Sequence, residues 1–435
     1  MSSVPLGLSD DATPPGAPAG APLIVRTVEL ADPGTLISLL PALGSDPAHV
    51  VSWVRRGEGL VGWGAAATFT TRGAQRFEAA DTWWRATAAD AVVRDEVRLP
   101  GTGPVCFGTF PFADDSLEHA RLVVPAVTVG HRGGRWWVTT AGTHLTPGPE
   151  VTQQPRPAAP TGVTFADGAL SGAEWAARVA AAVELICAGR LDKVVLARDL
   201  LVEASEPVDP RWILQSLAHR YDNTWVFAVD GMVGATPELL VRRERGLVTS
   251  RVLAGTIRRT GDDAKDLSLA ASLARSSKDL EEHEYAVRSV ADALAPHCSS
   301  TNVPEAPFVL HLPNVMHLAT DVTGVASDTS TALTLAAALH PSAAVGGTPT
   351  DVARQVIAEL ESMDRGRYAG PVGWSDAAGD GEWGIALRSG AFDPADARRL
   401  RIFAGCGIVA GSDPDSEVAE ADAKFVPMRD ALSGR

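Results

Sequence analysis

The run LRIFAGCGIVAGSDPDSEVAEADAKF, residues 400–425, is the stretch from which the rest of the chain can be read. Residues 400–409 are apolar and β-favouring, with small residues at Ala404, Gly405, Cys406 and Gly407. That is the pattern of a buried strand whose backbone something approaches closely. Ser412-Asp413-Pro414 then breaks the strand and opens a helix, since proline suits the first helical turn. On that helix Glu417, Glu420 and Lys424 recur at i, i+3 and i+7, so they share a face. A glycine-rich strand end thus delivers two carboxylates and an ammonium to one place. Paired carboxylates on a helix suit Mg²⁺, which takes one or two of them and leaves its other positions to water and ligand. A solvated amphipathic helix has the same spacing.

The chain has 435 residues, which suggests two or three domains or one large fold. Hydrophobic residues make up 45% and charged residues 21%, the balance of a soluble globular protein. A formal net charge of −15 argues against a nucleic-acid or anionic-membrane partner, both of which need a basic footprint. It leaves room for an anionic small substrate held by a local positive site. Cys106, Cys187, Cys298 and Cys406 are scattered, with no paired spacing, which fits a reducing cytoplasm. No apolar run reaches ~18 residues, so no membrane span is expected, and no secretory leader is evident.

Residues 1–22, rich in Pro, Gly, Ala and Ser, read as a disordered tail. Residues 23–146 form a β-rich N-terminal part. Within it, strands over 122–129 and 135–140 are joined by a hairpin turn at 130–134. Its tryptophans (Trp53, Trp63, Trp83, Trp84, Trp136, Trp137) are expected in a core. Residues 147–165 read as a linker or long loop, and 166–435 as the catalytic region. There Ser171 and Glu174 make a capping box, with Trp175, Val179, Val183 and Ile186 as the helix's buried stripe and Gly189 as its stop. Strands follow over 193–202, 224–230, 238–243 and 246–253, with a helix over 210–220. One long helix is expected over 264–294. Strands near 308–312 and 315–325 lead to helices over 331–339 and 351–363, and the last strands are 369–375, 382–389 and 400–409. Many strands adjoin directly, which predicts α+β architecture: large, mostly antiparallel or mixed sheets with helices outside. No phosphate-binding or dinucleotide fingerprint is present.

Candidate chemistry lies at a few positions. Lys193 opens an apolar strand, either at a wet edge or buried, where a neutral amine would serve as a general base. Glu238 follows the turn Thr236-Pro237 and is a turn cap or, in an apolar surround, a proton donor. The amides of Gly255 and Thr256 could hold a carboxylate at a turn. In SKDLEEH, residues 277–283, the acids cover most of the helix circumference; periodicity leaves open which one faces Glu420. His317 and His340 are lone histidines with no zinc spacing. Tyr368 could donate to a ligand, and Arg388, a charge within a strand, needs an anion.

Taken in order, KVVLAR (193–198), GATPELLV (234–241), LAGT (253–256), SKDLEEH, NVMHL (314–318), LHPSAAV (339–345), DRGRYAGPVGW (364–374), LRSGAF (387–392) and the stretch 403–424 resemble the chorismate-utilising enzymes. That family includes isochorismate synthase, salicylate synthase and the large subunits of anthranilate and aminodeoxychorismate synthase. The resemblance covers residues 171–429; earlier it is loose and rests on FGTFPF at 107–112. It implies one large fold of two stacked sheets flanked by helices, and Mg²⁺-dependent chemistry on chorismate. Glu282 and Glu420 match the family's metal ligands, with Glu417 close by. Gly255 and Thr256 would help the metal hold the ring carboxylate. Arg388 and Tyr368 match the residues that hold the pyruvyl carboxylate, beside Lys424 and the backbone of Gly405, Cys406 and Gly407. Lys193 matches the base that activates water for attack at ring C2, and Glu238 the acid that protonates the departing C4 hydroxyl.

Two positions narrow the choice. Ammonia-using members resemble one another in a glutamine where Lys193 stands. Ala344 matches the small residue typical of isochorismate synthases, where lyase members tend to carry threonine. The resemblance therefore implies an isochorismate synthase. Salicylate synthase is the nearest alternative, followed by an anthranilate-type subunit and a non-catalytic binding module. His317 joins the expected substrate contacts. Cys406 stands where alanine is usual, so only its backbone should matter. A monomer serving menaquinone or siderophore synthesis is expected.

Overall fold

The strand that opened the reading runs over Asp396–Ile408 and lies next to Lys193–Glu203, antiparallel, from Val194 opposite Ile408 to Glu203 opposite Arg399. The small residues are there for close approach: a Cβ at Gly405 would come 2.8 Å from the Leu196 carbonyl oxygen, and one at Gly407 2.0 Å from a Glu282 carboxylate oxygen. The computed structural model describes residues 21–42, 48, 50–144, 148–327 and 329–434. The expected tail at 1–22 lies almost wholly outside the described residues.

Among the described residues two sheets form, one of 13 strands and one of 10. Every pairing is antiparallel except Ile24–Leu30 with Val92–Asp95. Trp53, Trp225 and Phe227 from the larger sheet meet Phe107, Val372 and Trp374 from the smaller in a core between the sheets. Helix Ser277–Leu294 packs on Leu247–Arg258 and Val315–Ala326 of the smaller sheet. Helix Pro414–Leu432 packs on Asp396–Ile408, flanked by Gly172–Cys187 and Pro210–Arg220. Strands from before the Pro-rich stretch sit inside both sheets: Val50–Arg55 pairs with Trp225–Val229, and Val105–Thr109 with Pro371–Asp376. Within the expected linker, Thr164–Asp167 is a strand paired with Lys193–Glu203. Among the described residues no helix is long and apolar enough to cross a membrane.

Several expectations are refined. The capping box at Ser171 and Glu174 is present, and Ala182 is more deeply buried on that helix than Val183. The run 122–129 is two strands, Ala120–Val124 and Val127–Arg132, because Pro125 cannot continue a ladder and the chain passes from one sheet to the other there. The hairpin turn is Gly133-Gly134 alone, with φ of 55° and 75°, values a two-residue turn of this hand requires. The single helix over 264–294 is two, Asp263–Leu273 and Ser277–Leu294, because the Ser276 side chain caps a new start by accepting from the Asp279 amide. Met232–Thr236 is an additional strand, hidden in the sequence by its glycine. Arg388 lies between strands Gly381–Ile385 and Ser389–Asp393, at φ 49°, not within one.

Candidate active site

The two sheets and the helices on them line a pocket whose empty space, open solvent included, is about 570 Å³. Glu238, Gly255, Thr256, Glu282, His317, Ala344, Tyr368, Arg388, Gly405, Gly407 and Lys424 all line it. Lys193, Cys406, Glu417 and Glu420 stand behind this lining. Alternation along Asp396–Ile408 explains Cys406: Gly405 and Gly407 face the cavity, while its thiol turns to the Glu417 carbonyl, 3.4 Å away. Burial pushes that thiol well above its ordinary value.

Lys193 is not at a wet edge. Its side chain is 0% exposed, and its Nζ lies 3.3 Å from Glu282 Oε1. Glu238 comes off the turn that Thr236 organises, with its amide donating to Thr236 Oγ1 at 3.2 Å. Burial pushes the Glu238 carboxyl up to about 8, against the opposing pull of the Leu253 amide, Lys193 and Arg388. It therefore holds its proton at neutral pH, as a donor must.

At another side, the Arg388 guanidinium donates from Nη2 to His317 Nε2 at 3.0 Å. Guanidinium has no acceptor, so His317 accepts at Nε2 and carries its proton on Nδ1, 3.1 Å from Thr256 Oγ1. Burial, then the charges of Arg388 and Lys424, hold His317 well below its ordinary value, so the ring is neutral. Tyr368 stacks on Phe403 at 5.0 Å, and burial lifts its phenol to about 12, leaving an O–H donor. Among the described residues no carboxylate pairs with Arg388, although it is 7% exposed. A buried guanidinium without a carboxylate is a receptor for an anion. His340, by contrast, is a core residue: it bonds the Phe112 carbonyl at 2.9 Å, and burial holds it at about 3.

The helix face read from the sequence is real. Glu417 and Glu420 offer oxygens that lie with Cys406 Sγ within 4.8 Å of one another. Each carboxylate has a lysine as its counter-charge: Lys278 Nζ is 2.8 Å from Glu417, Lys424 Nζ 2.6 Å from Glu420, and Lys193 holds Glu282. Burial and the neighbouring Glu420 raise Glu417. Burial acts the same way on Glu420, but Lys424, Lys278 and the Thr256 hydroxyl outweigh it and hold Glu420 below the usual range. Glu417 and Glu420 are oxygen donors that fit a hard divalent cation, and their cluster does not include Glu282. The stripe His283, Ala286, Val290, Leu294 faces the protein; Glu282 flanks it, while Glu281 and Glu284 are exposed.

Two residues here went unread in the sequence. Arg365 lines the cavity and is 3% exposed. Its signal was a charge inside a glycine-rich, otherwise buried run, the same signal that marked Arg388. Lys278 was masked by the charge run around it.

The family description Chorismate binding enzyme matches residues 22–433. The isochorismate synthase DhbC of Bacillus subtilis is 43% identical over 57% of this chain, and the match spans 64% of that protein. The salicylate biosynthesis isochorismate synthase of Pseudomonas aeruginosa is 33% identical over 95% of this chain and 90% of its own length. Among solved structures, MenF, the menaquinone-specific isochorismate synthase of Escherichia coli, superposes with a TM-score of 0.78 at 25% identity, covering 96% of each chain. The fold, the cavity and these matches agree: the chain belongs to the family of chorismate-binding enzymes.

Proposed function

We propose that this protein converts chorismate to isochorismate, adding water at ring C2 and expelling the C4 hydroxyl as water, with Mg²⁺ as its cofactor. The chain is an enzyme of the isochorismate synthase type, as the names of its relatives indicate. The observation that carries the finer reading is a buried, protonated glutamate lining the cavity, with a buried lysine behind that lining beside Glu282. Lys193 takes the proton from the attacking water. Glu238 gives its proton to the departing hydroxyl. Arg388 and Tyr368 orient the pyruvyl carboxylate, and neutral His317 fixes the guanidinium by accepting from it. Glu282 and Glu420, with Glu417 beside them, would hold the Mg²⁺. When bound, that cation supplies positive charge to the ring carboxylate and so favours departure of the hydroxyl. One water enters and one leaves, so the product has the substrate's mass.

The test is chromatography of chorismate incubated with protein and Mg²⁺. A new species of equal mass is expected. Release of pyruvate with salicylate would move the assignment to salicylate synthase, and a need for ammonia to an anthranilate-type subunit. Glu420→Gln should abolish Mg²⁺-dependent turnover while the chain stays folded; unchanged turnover would remove the metal assignment.

A further inference from the structure

Strand Lys193–Glu203 has a gap in its ladder on the side away from Asp396–Ile408. At its start Lys193 and Val194 pair with Thr348 and Gly347. At its end residues 200–203 pair with Thr164–Asp167. Residues 195–199, between these, face no strand on that side. An open edge at this depth would leave buried backbone groups unsatisfied, each at a cost of about 1–3 kcal/mol.

Side chains fill the gap. The Val195 carbonyl accepts from Arg365 Nη2 at 2.7 Å, and the Ala197 amide donates to Glu361 Oε1 at 2.7 Å. The Val195 amide reaches the Gly346 carbonyl at 2.8 Å, and Trp175 Nε1 donates to the Ala197 carbonyl at 3.0 Å. Arg365 and Glu361 also bind each other, with Nε to Oε2 at 2.8 Å, and both are almost fully buried. Arg365 Nη1 donates to the Val345 carbonyl at 2.9 Å, and the guanidinium lies 4.2 Å over the Phe112 ring.

We propose that the Arg365–Glu361 pair is a positioning clamp for the reaction: standing in for a missing strand, it fixes the backbone that carries Lys193 against the turn that carries Ala344. Val195 is two residues from Lys193, and Val345 is next to Ala344. One planar group bonded to both sets the distance across that side of the cavity. A buried ion pair gives little net stability compared with well-packed apolar groups, so its contribution here is geometry. Lysine cannot replace it, because three hydrogens on one point do not reach two carbonyls and a carboxylate held in different directions. The guanidinium bonds the backbone beside Lys193 and Ala344, not Arg388 or the Tyr368 side chain, so its main effect is expected on turnover.

This inference rests on Lys193 being the base, and the experiment separates the two. Full-length Arg365→Lys and Glu361→Gln are compared with the natural chain, and with Lys193→Met, by steady-state kinetics on chorismate with Mg²⁺, across pH, below the melting temperature of each. Displacement of a reacting group by about 1 Å costs on the order of 10²-fold in rate. Arg365→Lys should therefore lower kcat by 10- to 100-fold with KM within about twofold. Glu361→Gln, which keeps an acceptor for the Ala197 amide, should show a smaller loss in the same direction and serves if the lysine variant fails to fold. Millimolar guanidinium should restore part of the turnover of Arg365→Ala. A lower melting temperature with kcat unchanged in both variants would overturn the clamp. Turnover by Lys193→Met would instead overturn the base assignment on which the clamp depends.

Discussion

Two buried glutamates, Glu238 and Glu382, sit on neighbouring strands and behave oppositely. Glu238 leads into strand Leu239–Glu244, which pairs with Gly381–Ile385, the strand that holds Glu382. Burial lifts Glu238 to about 8. The same burial acts on Glu382, yet its carboxyl is held below the ordinary value by Arg242 and the indole of Trp53. Glu382 accepts from Trp53 Nε1, Trp225 Nε1 and Arg242 Nε, each at 2.9 Å. Glu238 has the Leu253 amide and only more distant charges. What separates a proton donor from a structural anion in this sandwich is the adjacent Arg242 charge and the hydrogen-bond donors aimed at the carboxyl, not its depth.

The largest test of that contrast is Glu238→Gln. Loss of a general acid costs roughly 10²–10⁴-fold in kcat, and that loss is expected here with little change in KM. The natural enzyme should lose kcat as the pH passes about 8, where Glu238 gives up its proton, and the variant should lack that limb. The stability effect has the opposite sign. The folded chain keeps this proton up to about 8 while the unfolded chain releases it near 4.5, so stability from this group falls as pH rises between those values. Glutamine removes that loss, and the variant should be more stable at pH 7 by about 3 kcal/mol, read as a higher melting temperature. A variant that lost activity and stability together would place Glu238 with the structural carboxylates.

Glu382→Gln should do the reverse. It leaves Arg242 without its carboxylate in a partly buried place, and the expected destabilisation is about 3 kcal/mol, measured by urea unfolding. Turnover per folded molecule should be unchanged, because Glu382 lies outside the cavity that Glu238 lines. The natural chain gains stability from Glu382 above the ordinary carboxylate value and loses it as pH falls through the lower folded value; the variant should lack this component. Loss of turnover at equal folded fraction would show that the two glutamates are coupled.

The sequence made Glu238 legible and left Glu382 silent, for physical reasons. Glu238 is framed by residues close to it in the chain, Thr236 and Pro237, and local order is what a sequence displays. The donors to Glu382 come from Trp53, Trp225 and Arg242, brought together only by pairing across both sheets. The same division explains the rest. Glu417, Glu420 and Lys424 were readable because helical spacing puts them on one face. That Glu282, not Glu281, turns inward depended on where the helix restarts, and that was set by the Ser276 cap. Arg388 was expected in a strand because its neighbours favour β structure; the turn at φ 49° follows from its contact with His317 and the close approach of Gly234 to its carbonyl. Large antiparallel or mixed sheets followed from strands that adjoin without helices, and the family resemblance implied that there are two and that they stack. The order of those strands, which threads residues 50–55 between 225–229 and 58–63, did not.

The smallest test isolates one donor. Trp225→Phe keeps a ring beneath the Arg55 guanidinium, which lies 4.2 Å from the Trp225 ring, and removes the N–H that reaches Glu382. A hydrogen bond to a charged acceptor contributes about 1.5–3 kcal/mol, and Trp53 still serves the same oxygen, so a loss near 1.5 kcal/mol is expected. Acid unfolding should begin at a higher pH, because a carboxyl with one donor fewer moves back toward its ordinary value. The same change in a Glu382→Gln background should cost much less, since the indole no longer faces an anion. That difference is the coupling energy of the bond, free of the ring's volume. An equal cost in both backgrounds would mean that Trp225 acts through packing alone, and the rule that donors set the state of these carboxyls would lose its best-isolated case.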